Sequence, residues 1–112
     1  MDPDIEEACF RMIAAGGESR SMVFEALKLG GQGKMNEAWK KLEESRNPMA
    51  EAHKQQTKLI QKEAQGKLQG NSILLAHAQD ILMASLTERD LAEHILSSME
   101  RLQLLEEKYG ET

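Results

Sequence analysis

Three long segments of the chain carry apolar residues at helical spacing, and glycine-rich breaks separate them. The first opens at Met1-Asp2-Pro3-Asp4. Asp2 can cap a helix, Pro3 suits the first helical position, and Asp4, Glu6 and Glu7 favour the positive end of the dipole. Its apolar stripe runs Ile5, Cys9, Met12, Ile13, Gly16, Val23 and Leu27, and Gly30-Gly31-Gln32-Gly33 supplies a C-cap and a turn. Gly16-Gly17 interrupts the stripe at about 1 kcal/mol per glycine relative to alanine. The pair is either a tolerated weak point or a place where another helix or a ligand comes close.

The second segment begins near Lys34 to Asn36. Its stripe runs Met35, Ala38, Trp39, Leu42, Met49, His53, Leu59, Ile60 and Ala64, with Lys40, Lys41, Glu43 and Glu44 on the opposite, solvated face. Pro48 removes one backbone donor and must kink the helix or split it near Arg46-Asn47. A kink is expected, because the pattern resumes in phase. Gly66 to Asn71 forms the second break, and Asn71 or Ser72 can cap a third helix running to about Lys108, with Gly110 ending it.

This third helix has two seams. One holds Ile73, Ala76, Asp80, Ala84, Thr87, Leu91, His94 and Ser98, and is filled mainly by small and polar residues. The other holds Leu74, Leu75, Leu82, Leu86, Ile95, Met99 and Leu102. Three rods of this length, each about 45 Å, make a thin layer. A third helix with two occupied seams therefore predicts self-association.

Composition strengthens the helical reading. Met, Leu, Ala, Glu, Lys and Gln dominate, only four aromatic residues occur, and the length suits one domain over residues 1–112. A formal net charge of -5 with no basic, aromatic-interleaved stripe argues against nucleic acid as a partner. No apolar run approaches the roughly 20 residues that span a bilayer. No signal-peptide pattern opens the chain. Cys9, the single cysteine, fits an apolar helix face as a small core residue. A soluble, cytoplasmic protein without membrane insertion is expected.

The chemistry concentrates in Ser72 to Leu86. A polar island, His77-Ala78-Gln79-Asp80, interrupts an almost wholly apolar stretch. Burying a carboxylate costs several kcal/mol unless it is paired or bound to a cation. One reading is a hydrogen-bonded histidine beside an aspartate on an exposed seam. The other is a reactive imidazole with a metal or partner site one turn away. Symmetry-related Asp80 carboxylates meeting at one axis would repel unless a cation bridged them.

Four segments carry a family resemblance. Gly17-Glu18-Ser19-Arg20-Ser21 looks like a G-x-x-R-S motif, and Ala26-Leu27-Lys28 with Gly33 follows at matching spacing. Glu51-Ala52-His53 with Gln56-Thr57-Lys58 resembles E-A-H-x-x-Q-T. His77-Ala78-Gln79-Asp80 with Leu82-Met83 resembles H-[AG]-Q-D-H-L-M. In this order and spacing, the chain resembles the enzyme IIA component of the lactose/cellobiose class (including N,N′-diacetylchitobiose) of the bacterial sugar phosphotransferase system.

The resemblance implies an all-α, antiparallel three-helix subunit that assembles as a homotrimeric nine-helix bundle. It implies that His77 accepts a phosphoryl group from the histidine-containing phosphocarrier protein and passes it to a cysteine of enzyme IIB, for uptake of a lactose/cellobiose/chitobiose-type disaccharide. It also places Asp80 at the trimer axis around one metal ion, Mg²⁺. Gln79 and His53 are candidates for polar support of His77. In two places the chain departs from the family pattern. Ile81 stands where a second histidine is usual, near the phosphoryl group. Pro48 interrupts a helix that usually runs through. Loss of that histidine leaves one alternative, a non-catalytic helical-bundle adaptor with the same fold.

Overall fold

The protein is described by a computed structural model covering residues 1–68 and 72–110. Helix α1 spans Pro3–Gly31, α2 Met35–Glu44, α3 Arg46–Ala64 and α4 Ile73–Leu105, followed by one π-helical turn at Glu106–Gly110. No strand occurs among the described residues. Asp2 caps α1 by accepting the Asp4 N–H at 2.7 Å. That bond, ahead of the charges of Lys62 and Lys67, holds the Asp2 carboxyl below its ordinary pKa. Gly33, at φ +80°, supplies the left-handed residue that turns the chain into α2. Ser72 caps α4, its hydroxyl accepting the Leu75 N–H at 3.2 Å. The alternative cap, Asn71, lies outside the described residues, as do the neighbouring break residues 69 and 70.

Helices α2 and α3 form one kinked rod. Ser45 interrupts the helical pattern, but its backbone stays helical at φ -63° and ψ -16°. Pro48, three residues on, cannot donate to the carbonyl of Glu44, which is the physical cause of the break. The Ser19 hydroxyl donates to the Ser45 carbonyl at 3.1 Å and anchors the bend to α1. The kink expected from the sequence is therefore present.

The chain runs up, down and up. Ile5, Met12 and Ala15 of α1 pack with Leu59 and Met49 of α3 and with Ala78 and Leu82 of α4. Further along, Val23 and Ala26 pack with Met35, Ala38 and Leu42 of α2 and with Ala92 and Leu96 of α4. So α1 and α4 run parallel, and the kinked rod runs antiparallel to both. The result is a rod of 66 × 18 × 18 Å with a radius of gyration of 18.1 Å, against about 13 Å for a compact chain of this length.

Two expectations need correction. His53 is exposed rather than part of the buried seam, and so are Ile60 and Ala64; the seam of α3 runs Pro48, Met49, Ala52, Gln55 and Leu59. From Met49 the seam steps three residues to Ala52, not four to His53. Gln55 is 1 % exposed and remains satisfied because its amide donates to Glu51 at 2.7 Å. The second correction concerns α4. The seam buried inside the subunit is Ala78, Leu82, Ser85, Ala92 and Leu96, while Leu102 and Ile95 are exposed.

Cys9 is fully buried. Burial first, and the charge of Glu6 second, push its thiol pKa up. The thiolate is the reactive form, so native protein at pH 8 is expected to resist iodoacetamide and to be alkylated once unfolded in urea. Mass spectrometry reads the difference; rapid alkylation of the native protein contradicts the packing described.

Candidate functional site

α4 presents the polar island on its outward side. Ala78 is buried and anchors the helix to the core, while His77 and Asp80 are exposed and Gln79 is half-buried. The subunit therefore does not bury the Asp80 carboxylate. His77 and Asp80 are three residues apart, which places them about 60° apart around the helix with side chains in reach of one another. Neither His77 nor Asp80 makes a hydrogen bond or ion pair within the subunit among the described residues. No group of three His, Cys, Asp or Glu side chains able to hold a metal occurs among those residues.

The two candidates for polar support do not reach His77 within one subunit. Gln79 sits on the opposite flank of α4, where its Oε1 accepts from the Gln56 amide of α3 at 3.2 Å. His53 is on that same α3 helix and exposed. The flank that carries His77 faces α1 instead. There Ile81, one turn after His77, turns Cγ2 onto Gly16: a Cβ added at Gly16 would lie 2.7 Å from it. Ser85 is fully buried one turn further on. Its hydroxyl lies 2.6 Å from the Ile81 carbonyl and 3.0 Å from the Gly16 carbonyl, and donates there. Arg20 then donates twice to Glu88, at 2.7 and 2.8 Å, a bidentate pairing whose geometry is specific.

The two adjacent glycines thus have different roles. Gly16 admits α4, which is the close helix approach anticipated from the sequence. Among the described residues, nothing lies within 4 Å of a Cβ at Gly17. Sequence reasoning missed the Gly16–Ile81–Ser85 contact and the Arg20–Glu88 pair. A signal for the first was present: Gly16 lies on the apolar stripe of α1, where a missing side chain leaves room for a neighbour. Nothing in the spacing indicated which residue would fill the gap.

Along the outward side of α4, Ile73 is 91 % exposed and Leu91 56 % exposed. Asp80, Thr87, Ser98 and Leu105 lie on the same face, the whole set spanning about 40° around the helix because each heptad step drifts by about 20°. This unpartnered stripe is opposite the seam that packs on α1. Chemically, the site offers one solvent-accessible imidazole on a rigid helix and one carboxylate beside it. A neutral imidazole has a free lone pair on one ring nitrogen, which suits it to accept a group from an incoming donor.

Known proteins resemble this chain over most of its length. The family model described as PTS system, Lactose/Cellobiose specific IIA subunit, matches residues 7–100. The lichenan-specific phosphotransferase enzyme IIA component of Bacillus subtilis (strain 168) is 37 % identical over 102 residues, covering 91 % of this chain and 93 % of that protein. The crystal structure of the cellobiose-specific enzyme IIA from Bacillus anthracis superposes with a TM-score of 0.86 at 38 % identity, covering 93 % of this chain and 95 % of the other. The IIA(Chitobiose) subunit solved with HPr from Escherichia coli superposes with a TM-score of 0.76 at 35 % identity, over 88 % of this chain and 96 % of that one.

Proposed function

The chain belongs to the lactose/cellobiose-specific IIA family of the sugar phosphotransferase system, and on that premise we propose that His77 is the residue that carries the phosphoryl group. As a family member it is a phosphotransferase component of that system. The donor is the histidine-containing phosphocarrier protein, the class of partner with which the E. coli chitobiose relative was solved. The acceptor is a cysteine of enzyme IIB. Both encounters take place in the cytoplasm; no helix among the described residues is long and apolar enough to cross a membrane.

The observation that carries this reading is the exposure of His77 on a helix whose adjacent residue, Ala78, is locked in the core. Phosphoryl transfer needs positioning and charge stabilisation more than covalent machinery. The lone pair of one His77 ring nitrogen attacks phosphorus, a P–N bond forms, and the P–N bond to the donor imidazole breaks. In the second step the IIB thiolate attacks, the P–S bond forms, and His77 leaves as a free imidazole. The ring must be reached from solvent by two partners in turn, which a buried histidine does not allow.

The assembly belongs to the same proposal. The outward stripe of α4 and the thin rod favour a homotrimer in which three α4 helices meet. Asp80 then approaches its two symmetry mates. Carboxylate oxygens are hard ligands that suit Mg²⁺, and only three copies together supply enough of them. An ion held by the three Asp80 carboxylates would offset the repulsion among them and between each carboxylate and a phosphoryl group on His77.

Incubation with phosphoenolpyruvate, enzyme I and the phosphocarrier tests the relay. Intact mass is expected to rise by one phosphoryl group per subunit. If the protein stays unmodified while a known family member is phosphorylated in the same tube, the adaptor reading replaces the relay.

A further inference from the structure

We propose that Ile81 is a positioning residue for His77: its Cγ2 keys α4 into the notch at Gly16 and so fixes where the imidazole is presented. This rests on the reading of His77 as the phosphoryl carrier. Three observations on one face of α4 support it. The approach at Gly16 is too close for any side chain there, since a Cβ would meet Ile81 Cγ2 at 2.7 Å and Ser85 Oγ at 3.4 Å. Ile81 is half-buried while His77, one turn before it, is exposed. Ser85, one turn after it, is fully buried with its hydroxyl between the carbonyls of Ile81 and Gly16.

The physics of the contact favours a fixed position over a sliding one. A β-branched side chain on a helix is held to essentially one χ1 rotamer, so Cγ2 is a rigid key. A glycine notch accepts it at one rotation and one height of α4. The Ser85 hydroxyl adds a direction-dependent bond at the same level. His77 has no hydrogen bond of its own among the described residues, so within the subunit its place is set by the helix that carries it. Slipping α4 at this level moves the imidazole directly. Small misplacements of a reacting group carry large rate penalties, on the order of a hundredfold for ~1 Å.

Branching chemistry supplies the test. Ile81→Val keeps Cγ2 and loses only Cδ1. Ile81→Leu keeps the bulk but moves the branch and loses Cγ2, and Ile81→Ala empties the notch. Transfer from the phosphorylated phosphocarrier is followed at varied donor concentration, with the melting temperature measured for each protein. Ile81→Leu and Ile81→Ala are expected to lower kcat by ~10-fold or more with KM for the donor little changed, and Ile81→Val to recover most of the loss. Gly16→Ala is expected to slow transfer, and the double variant Gly16→Ala with Ile81→Ala to restore part of the rate, because the added methyl then meets an emptied site. Wild-type kcat in Ile81→Leu and Ile81→Ala, even with lowered melting temperatures, overturns the proposal. So does a kcat that falls in Ile81→Val as far as in Ile81→Ala. An unphosphorylated wild-type protein instead fails the relay reading itself, before any Ile81 variant is compared.

Discussion

His77→Ala is expected to take up no phosphoryl group, under conditions that label every wild-type subunit once. The substitution removes the only atom with a lone pair that the proposed transfer uses. His77 is exposed and without hydrogen-bond or ion-pair partners among the described residues, so its loss should change stability by no more than about 0.5 kcal/mol. Loss of labelling therefore cannot be ascribed to unfolding. The adduct on wild-type protein should be labile in acid and stable in base, as a P–N bond is and a serine ester is not. His53→Ala and His94→Ala should both label fully. His53 is exposed on α3, and His94 is exposed on α4 two heptads beyond Asp80. Full labelling of His77→Ala, or loss of labelling in either control, would assign the carrier role elsewhere.

Leu91→Glu is expected to dissociate the proposed trimer to a monomer at micromolar concentration, as read by light scattering. Leu91 is 56 % exposed in the subunit and lies on the outward stripe of α4. In the proposed trimer three copies of it meet, and burying the exposed part of each leucine contributes about 1–1.5 kcal/mol. Three glutamates in the same place would add like-charge repulsion to the lost burial. The subunit core does not include this face, so helix content should persist. Asp80→Asn addresses the ion. With wild-type protein, chelation should lower the melting temperature, because the carboxylates then repel; with Asp80→Asn, chelation should have no effect. A well-behaved wild-type monomer would dispose of the assembly. A trimer that is indifferent to chelator, with no cation found by metal analysis, would dispose of the ion and leave the assembly standing.

Much of this could be read from the chain itself. The caps at Asp2 and Ser72, the turn glycine Gly33 and the all-α composition act over a few residues, and local rules reach that far. The kink at Ser45 followed from the missing donor of Pro48. The outward stripe of α4 was visible because helical periodicity shows a face whether or not the subunit itself covers it. The motif around His77 was equally local.

What the sequence left open depends on how far apart the helices lie and how they are turned. Periodicity gives a face to within a residue or so, and therefore allowed His53 in a seam that in fact passes through Ala52 and the buried Gln55. Gln55 reads as a surface residue until its bond to Glu51 is seen. Periodicity puts Gly16, and not Gly17, on the apolar stripe of α1, but only the approach of α4 shows that Ile81 fills the space at the first, while no described atom lies close to the second. Ile81 itself was expected beside the phosphoryl group. The rotation of α4 also turns its Cγ2 toward α1, because the parallel α1 helix offers a notch one turn above His77, and interhelical distance is a property of the packed rods that no single segment encodes.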